Sequence, residues 1–217
     1  MEIKEVKEGL YYYGGDYYTK NYVPGKKVYG EKLLTIDGVE YRRWDAFRSK
    51  LAGALKKGLK DFPFSKKAEI LYLGASTGTT VSHLSDICED GVIYAVEHAP
   101  QMMEKLMKLA ERRDNIVPIL ADARMPTEYE DIGEVGVLYQ DVAQPDQVRI
   151  LLLNERKFLK DGGSAMLCLK THSIDVTKEK EETLKGAKEE LKTRLSIEEV
   201  IDLDPYDKEH YFIAMRK

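Results

Sequence analysis

The sequence predicts an α/β protein: a mostly parallel, helix-covered sheet that finishes in an antiparallel hairpin, preceded by a small β-rich unit. Three observations carry this. From residue 68 onward, apolar strand-like runs alternate with helical runs. The turn Asp204-Pro-Tyr-Asp-Lys208 between the last two runs is too short for a crossover, so those strands must pair antiparallel. The first 41 residues hold eight of the fourteen tyrosines among repeated Gly and Pro breaks, the composition of short strands and turns.

The elements follow in order. Tyr11-Tyr-Tyr-Gly-Gly15, Val23-Pro-Gly25 and Ile36-Asp-Gly38 punctuate an antiparallel unit whose tyrosines pack its faces. Between Trp44 and Leu59, the four-residue spacing of Phe47, Leu51, Leu55 and Leu59 predicts one helix, with Arg48 and Lys56 off its apolar stripe. Residues 1–55 are assigned to the N-terminal unit with this linking basic helix, and residues 56–217 to the main domain. Strands are expected over 69–73, 92–97, 116–120, 135–140, 165–170, 197–203 and 211–215, and helices near 79–88, 99–113, 146–160 and 178–194. The first five of these strands, separated by helices, require right-handed crossovers and a parallel sheet.

A hydrophobic fraction of 43% and a charged fraction of 33% describe a soluble chain. No apolar run has the length of a membrane span, and Met1-Glu-Ile-Lys-Glu lacks the features of a secretory leader, so the expected compartment is the cytoplasm. Cys88 and Cys168 are too few and too isolated for a metal knuckle or a disulfide framework and read as core thiols; no metal is expected. The net charge of −4 hides an asymmetry, with residues 1–60 at +5 and the remainder at −9. The basic excess lies between Arg42 and Lys67, where it reads either as a phosphate-binding patch or as a solvated helix face.

The run Glu69-Ile-Leu-Tyr-Leu-Gly-Ala-Ser-Thr-Gly-Thr-Thr80 is a strand leading through a glycine turn into a helix. Gly74 and Gly78 would let the backbone turn and approach a ligand without a Cβ, and the helix opening at Thr79 would present free amides. The next strand ends on Glu97, 23 residues after Gly74, where a carboxylate can accept hydrogen bonds from ribose hydroxyls. A glycine turn alone also fits a ligand-free domain; the paired acid favours an adenosyl group. With G-x-x-x-G in place of G-x-G-x-x-G there is no provision for a pyrophosphate, which points to S-adenosylmethionine. A parallel sheet closed by a hairpin is also the Rossmann-like architecture of methyltransferases, whereas dinucleotide dehydrogenases usually finish on a parallel strand.

Ligands of such sheets sit beyond the carboxyl ends of the strands, which here carry Glu97-His98, Asp122-Ala123, Asp141-Val-Ala-Gln-Pro145 and Lys170. Asp122 is placed to accept from an adenine amine, His98 to stack on the base or simply cover it, and Asp141 to lie where a sulfonium and a substrate meet. Asp141 and Lys170 end adjacent strands, and Lys50 and His210 complete an acid flanked by bases if they converge there. That set suits deprotonation of an alcohol, provided the pKa of the lysine is lowered by burial and a neighbouring cation.

Tyr41-Arg-Arg-Trp44, Arg48-Ser-Lys-Leu-Ala52, Leu71-Tyr-Leu-Gly-Ala-Ser-Thr-Gly-Thr-Thr80, Ser82-His-Leu-Ser-Asp86, Asn115-Ile-Val-Pro-Ile119, Asp141-Val-Ala-Gln-Pro145, Ser173-Ile-Asp-Val-Thr-Lys178 and Glu209-His210 together resemble archaeal fibrillarin from about Lys26 onward. The resemblance implies an S-adenosylmethionine-dependent RNA 2′-O-methyltransferase of box C/D ribonucleoproteins, acting on pre-rRNA and possibly tRNA at nucleotides chosen by guide RNA. It implies a Nop-domain scaffold protein as partner, and a kink-turn-binding ribosomal-protein homologue reached through the RNA. It places cofactor contacts at Thr79, Thr80, Glu97, His98, Asp122, Ala123, Asp141, Val142, Ala143 and Gln144, and the catalytic set at Lys50, Asp141, Lys170 and His210. The family usually reads K-A-R-S-I-D where this chain has Lys170-Thr-His-Ser-Ile-Asp175, which removes one arginine. No Gly/Arg-rich tail precedes the domain, as expected of the archaeal form. A small-molecule methyltransferase would share the cofactor site without needing the basic segment, and a silent structural subunit would keep the fold without binding cofactor.

Overall fold

In the computed structural model, which describes residues 2–217, two sheets meet over a shared apolar core. The first is antiparallel and consists of β1 (Lys4–Lys7), β2 (Leu10–Tyr13), β3 (Asp16–Lys20), β4 (Leu33–Ile36) and β5 (Val39–Trp44), in the order β1-β2-β3-β5-β4. Gly14 and Gly15, both at positive φ, make the two-residue turn that pairs Tyr13 with Asp16. The tyrosines pack edge-on across the sheet, Tyr12 of β2 on Tyr17 of the neighbouring β3 at 5.3 Å and Tyr11 of β2 on Tyr41 of β5, one strand further, at 5.0 Å.

The second sheet contains β6 (Glu69–Leu73), β7 (Val92–Glu97), β8 (Ile116–Leu120), β9 (Val135–Gln140), β10 (Leu159–Lys170), β11 (Ser196–Asp202) and β12 (His210–Arg216), in the order β11-β12-β10-β9-β6-β7-β8. Strands β6 to β10 run parallel, and β12 is antiparallel to both β10 and β11. Strand β10 begins at Leu159, six residues before the expected start, with a register break before Ser164. The helices are α1 (Lys50–Lys56), α2 (Thr79–Ile87), α3 (Pro100–Ala110), α4 (Gln147–Phe158), α5 (Thr171–Ile174) and α6 (Lys180–Leu191), with a 3-10 segment at Pro126–Ile132. Strand order reverses at β6, which has β7 on one side and β9 on the other, so a crevice opens at their carboxyl ends. Among the described residues no helix is long and apolar enough to cross a membrane.

One core cluster joins the two sheets, running from Leu10 and Trp44 through Leu51, Leu55, Val81 and Leu84 to Phe212. The other fills the opposite face of the large sheet with Leu71, Leu138, Leu151, Phe158, Leu191 and Ile213. Cys88 and Cys168 are buried thiols. Burial pushes both thiols well above the usual range; Cys168 is raised further by the charge of Asp141.

Two expectations are corrected here. The helix expected over 44–59 forms only over Lys50–Lys56, because the Asp45 carboxylate accepts from the Phe47 amide (2.9 Å) to make a turn and Ser49 caps the helix after it. Phe47 therefore leaves the apolar stripe and stands 68% exposed, edge-on to Tyr206. The basic segment is also not one patch, since most of its charge is tied up. Arg42 is buried against Glu31 (2.6 Å) and Asp86 (2.8 Å), Lys56 and Arg43 pair with Asp16, and Lys66 pairs with Glu89 and Asp90.

Candidate active site

The crevice holds a cavity of about 290 Å³ lined by Gly74, Glu97, His98, Asp122, Ala123, Asp141, Val142, Ala143, Gln144 and Lys170, together with Ser76, Met102, Arg124 and Ile150. It lies where the ends of β6, β7, β8 and β9 converge, because successive parallel strands deliver their last residues to the same rim. Thr79 and Thr80 lie outside this lining: Thr79 faces a neighbouring groove, and the Thr80 hydroxyl is buried against Ser49 Oγ at 2.9 Å. The Thr80 side chain is thus turned toward the cap of α1, and neither threonine side chain lines the cavity.

The two glycines do different work. Gly74 sits at φ +80°, and a Cβ there would lie 2.6 Å from the Asp141 carbonyl oxygen, so its absence lets β6 and β9 close together at the rim. Gly78, at φ +87°, would drive a Cβ to within 2.4 Å of Leu109 Cδ2. Its positive φ makes the tight turn expected from sequence, and its smallness also serves the packing of that turn on α3.

Glu97 is 6% exposed, and each carboxylate oxygen is fixed by a main-chain amide at 2.8 Å, Oε2 by Ser76 and Oε1 by Ala99. Two amides held by the turns on either side aim the carboxylate and leave its remaining lone pairs to a ligand. His98, beside it, is largely exposed at the rim, with Nδ1 3.4 Å from Glu97 Oε1. Asp122 accepts from the Arg124 amide at 2.9 Å. The Arg124 guanidinium reaches on to Gln144 Oε1 (2.9 Å) and to both Asp146 oxygens (2.9 and 2.7 Å), tying the loop after β8 to the loop after β9.

At the opposite end of the cavity, Lys170, Asp141, Lys50 and Asp207 alternate in sign, and the His210 imidazole adjoins the last. Lys170 Nζ lies 3.0 Å from Asp141 Oδ1, Lys50 Nζ lies 3.2 Å from Asp141 Oδ2 and 3.4 Å from Asp207 Oδ2, and Asp207 Oδ1 lies 2.9 Å from His210 Nδ1. The sheet explains the convergence: Asp141 follows β9, Lys170 ends β10 and pairs in register with His210 at the start of β12, and α1 lays Lys50 across them. Lys170 directs its hydrogen bond to the Asp141 main-chain oxygen at 3.3 Å, so the buried Oδ1 is charge-paired yet accepts no hydrogen bond.

Burial opposes the charges on Asp141 and Lys50, but each outweighs that cost for the other. Asp141, between Lys50 and Lys170, is held below the usual carboxylate range, and Lys50 is raised well above the usual lysine value by Asp141 and Asp207. Asp207, penalised by burial, is nonetheless lowered by His210 and Lys50. Lys50 is therefore a fixed cation at neutral pH. Of the expected catalytic residues, Lys50, Asp141, Lys170 and His210 are all brought together here. The sequence reading missed Asp207, which links Lys50 to His210, and also Arg124. Position 207 follows no strand end, and only its spacing of three from His210 hinted at a pairing.

The sequence model of the fibrillarin family matches residues 1–217. A fibrillarin-like rRNA/tRNA 2′-O-methyltransferase of Saccharolobus islandicus is 51% identical over 201 residues, covering 91% of this chain and 87% of its own. Aeropyrum pernix fibrillarin, solved in complex with natively bound S-adenosyl-L-methionine, superposes with a TM-score of 0.88 at 44% identity over 99% of each chain. The fibrillarin of a fibrillarin/Nop5p complex superposes with a TM-score of 0.91 at 40% identity over 98% of this chain and 99% of that one. With the fold, the rim cavity and the charged array all present in one chain that the family matches from end to end, this protein belongs to the fibrillarin family.

Proposed function

We propose that this chain transfers a methyl group from S-adenosylmethionine to a ribose 2′-hydroxyl of rRNA and tRNA, within a box C/D particle whose guide RNA selects the nucleotide. The observation that carries this reading is the Lys170–Asp141–Lys50–Asp207–His210 array at one end of a cavity whose other end is the doubly anchored Glu97. The names of the relatives support the reaction, and the complex with Nop5p supports a Nop-domain scaffold as partner. A kink-turn-binding protein reached through the RNA, and the cytoplasm as compartment, complete the reading.

The cavity suits the cofactor chemically. Glu97 offers fixed acceptors for a vicinal diol, Met102 and Ile150 an apolar wall for a planar base, Asp122 an acceptor for an exocyclic amine, and the orphaned Asp141 Oδ1 an acceptor for a cationic or hydroxyl group. His98 and the main chain from Ala123 and Val142 to Gln144 close the rim. When bound, S-adenosylmethionine supplies an electrophilic methyl group on a sulfonium. Lys170, once it has given up its own proton to solvent, would take the proton of the attacking 2′-hydroxyl at Nζ as a free amine. Asp141 holds that amine in place, and Lys50 shares the carboxylate charge from its other oxygen. His210 and Asp207 fix Lys50 from behind. Positioning the nucleophile in line supplies the rest of the rate. In this reading residues 1–55 and 56–217 act as separate units of one enzyme, the first contributing Lys50 and the second the cavity; the two separate sheets support the division.

Reconstitution with guide RNA and scaffold protein, followed by site-resolved mapping of RNA methylation, tests the reading. Ribose methylation at the guide-specified nucleotide, dependent on S-adenosylmethionine, is expected. Base methylation, or none by the assembled particle, would overturn it.

A further inference from the structure

A second and larger groove, of about 600 Å³, opens beside the cofactor cavity and shares the Gly74–Gly78 loop with it through Thr77, with Thr79 just beyond. Its walls come from three separate stretches of chain: the loop after β3 contributes Lys26 and Lys27, the turn before α1 contributes Arg48, and the outer part of α3 and its end contribute Lys105 and Arg112. All five side chains are exposed, and among the described residues none has a carboxylate within 4.0 Å. Elsewhere on the surface many lysines are neutralised locally, as in Lys157–Glu130, Lys160–Glu69 and Lys180–Asp202. Five unpaired cations facing one groove, with Glu111 as the acid on its wall, mark a strong local positive potential on a chain of net charge −4.

We infer that this groove binds the sugar–phosphate backbone of the RNA flanking the methylated nucleotide, with Lys26, Lys27, Arg48, Lys105 and Arg112 as its phosphate contacts. The inference rests on the functional reading above and gives its substrate a path. Arg48 on the groove wall lies two residues before Lys50, whose Nζ is 3.2 Å from Asp141, so the groove lies close along the chain to the charged array. Lysine is depleted at protein–protein interfaces, whereas mixed lysine and arginine on an open groove suits polyanion binding. The phosphate-binding role expected of the segment from Arg42 to Lys67 thus falls mainly on residues outside it, and Arg48 alone is common to both.

The test uses the assembled particle with a guide RNA and a matching substrate oligonucleotide. The double variants Lys105→Glu with Arg112→Glu, and Lys26→Glu with Lys27→Glu, are compared with Lys185→Glu plus Lys188→Glu, which makes the same charge change on α6. Each groove variant is expected to weaken RNA association on the order of 10-fold or more near 0.1 M salt and to flatten the log–log salt dependence by roughly two, while the α6 control does neither. Cofactor affinity by calorimetry and thermal melting should match the parent; a pair that fails to melt normally is set aside and the other pair decides. RNA affinity and salt slope unchanged in the groove variants would overturn the inference, as would loss of scaffold binding measured without RNA, which would make the groove a protein interface. If the parent particle transfers no methyl group to RNA, the functional reading itself fails. If it does and the variants bind RNA as the parent does, only the groove assignment fails.

Discussion

One cluster of alternating charge is sealed between the sheets and another is part-exposed at the rim of the large sheet, and they differ in whether their hydrogen bonds are complete. Between the sheets, Arg42 bridges Glu31 and Asp86, Arg113 binds the other Asp86 oxygen at 2.7 Å, and the Thr19 hydroxyl donates to Asp86 at 2.6 Å, all with side chains at most 2% exposed. His83 joins this cluster through Thr19 and Tyr29, both at 2.7 Å, and stacks on Trp44. At the rim of the large sheet, Asp141 lies between two ammonium groups, yet its buried Oδ1 accepts no hydrogen bond and the cluster opens onto a cavity. The closed cluster fixes one arrangement of the N-terminal sheet on α2; the open one keeps an acceptor free for a ligand. Burial and charge pairing alone do not mark a reaction centre; here the part-exposed array is set apart by its place beside the cavity at the strand ends.

The largest expected effect breaks the closed cluster. Asp86→Ala strands two buried guanidinium groups and should destabilise the fold by about 3–5 kcal/mol, measured by denaturant unfolding. A loss below about 1 kcal/mol would mean the cluster is not the clamp described. In the open cluster the loss should fall on turnover instead. Lys170→Ala is expected to slow single-turnover methyl transfer on the order of 10²-fold or more, with cofactor and RNA affinity retained and a melting temperature near the parent's. Near-normal transfer would show that positioning alone drives the step. At the far end of the cavity, Glu97→Ala should weaken S-adenosylmethionine binding by roughly 1.5–3 kcal/mol in a calorimetric titration, and unchanged affinity would remove its assigned role.

The smallest effect separates the clusters by pH. Burial first, and then Arg42 and Arg113, hold His83 well below its ordinary value of 6.5, so the folded protein keeps it neutral while the unfolded chain protonates. Below about pH 6.5 the unfolded state binds the extra proton. Stability should therefore be level above that pH and fall with decreasing pH by up to about 1.4 kcal/mol per unit. His83→Gln should lower the plateau and flatten this slope. An unflattened slope would place the titrating group elsewhere.

How much of this was legible in sequence varies residue by residue. Glu97, Asp122, Asp141 and Lys170 could be found because a parallel strand's last residue must face the ligand edge, whatever packs around it. Gly74 was legible for the same reason. Gly78 carries, besides its turn, a constraint from Leu109, more than thirty residues along the chain, and that contact exists only once α3 has docked. Arg42 and Arg48 look alike in a basic run, yet one is sealed between Glu31 and Asp86 and the other faces an open groove.

The sequence by itself determined the strand and helix order, the antiparallel ending and the strand-end residues, because local periodicity and turn length follow from backbone geometry alone. Tertiary structure alone decided which charges neutralise one another. Those pairings join residues such as Lys50 and Asp141, 91 positions apart, at separations of about 3 Å, where a change of a few ångströms in docking decides whether a side chain is clamp, catalyst or surface.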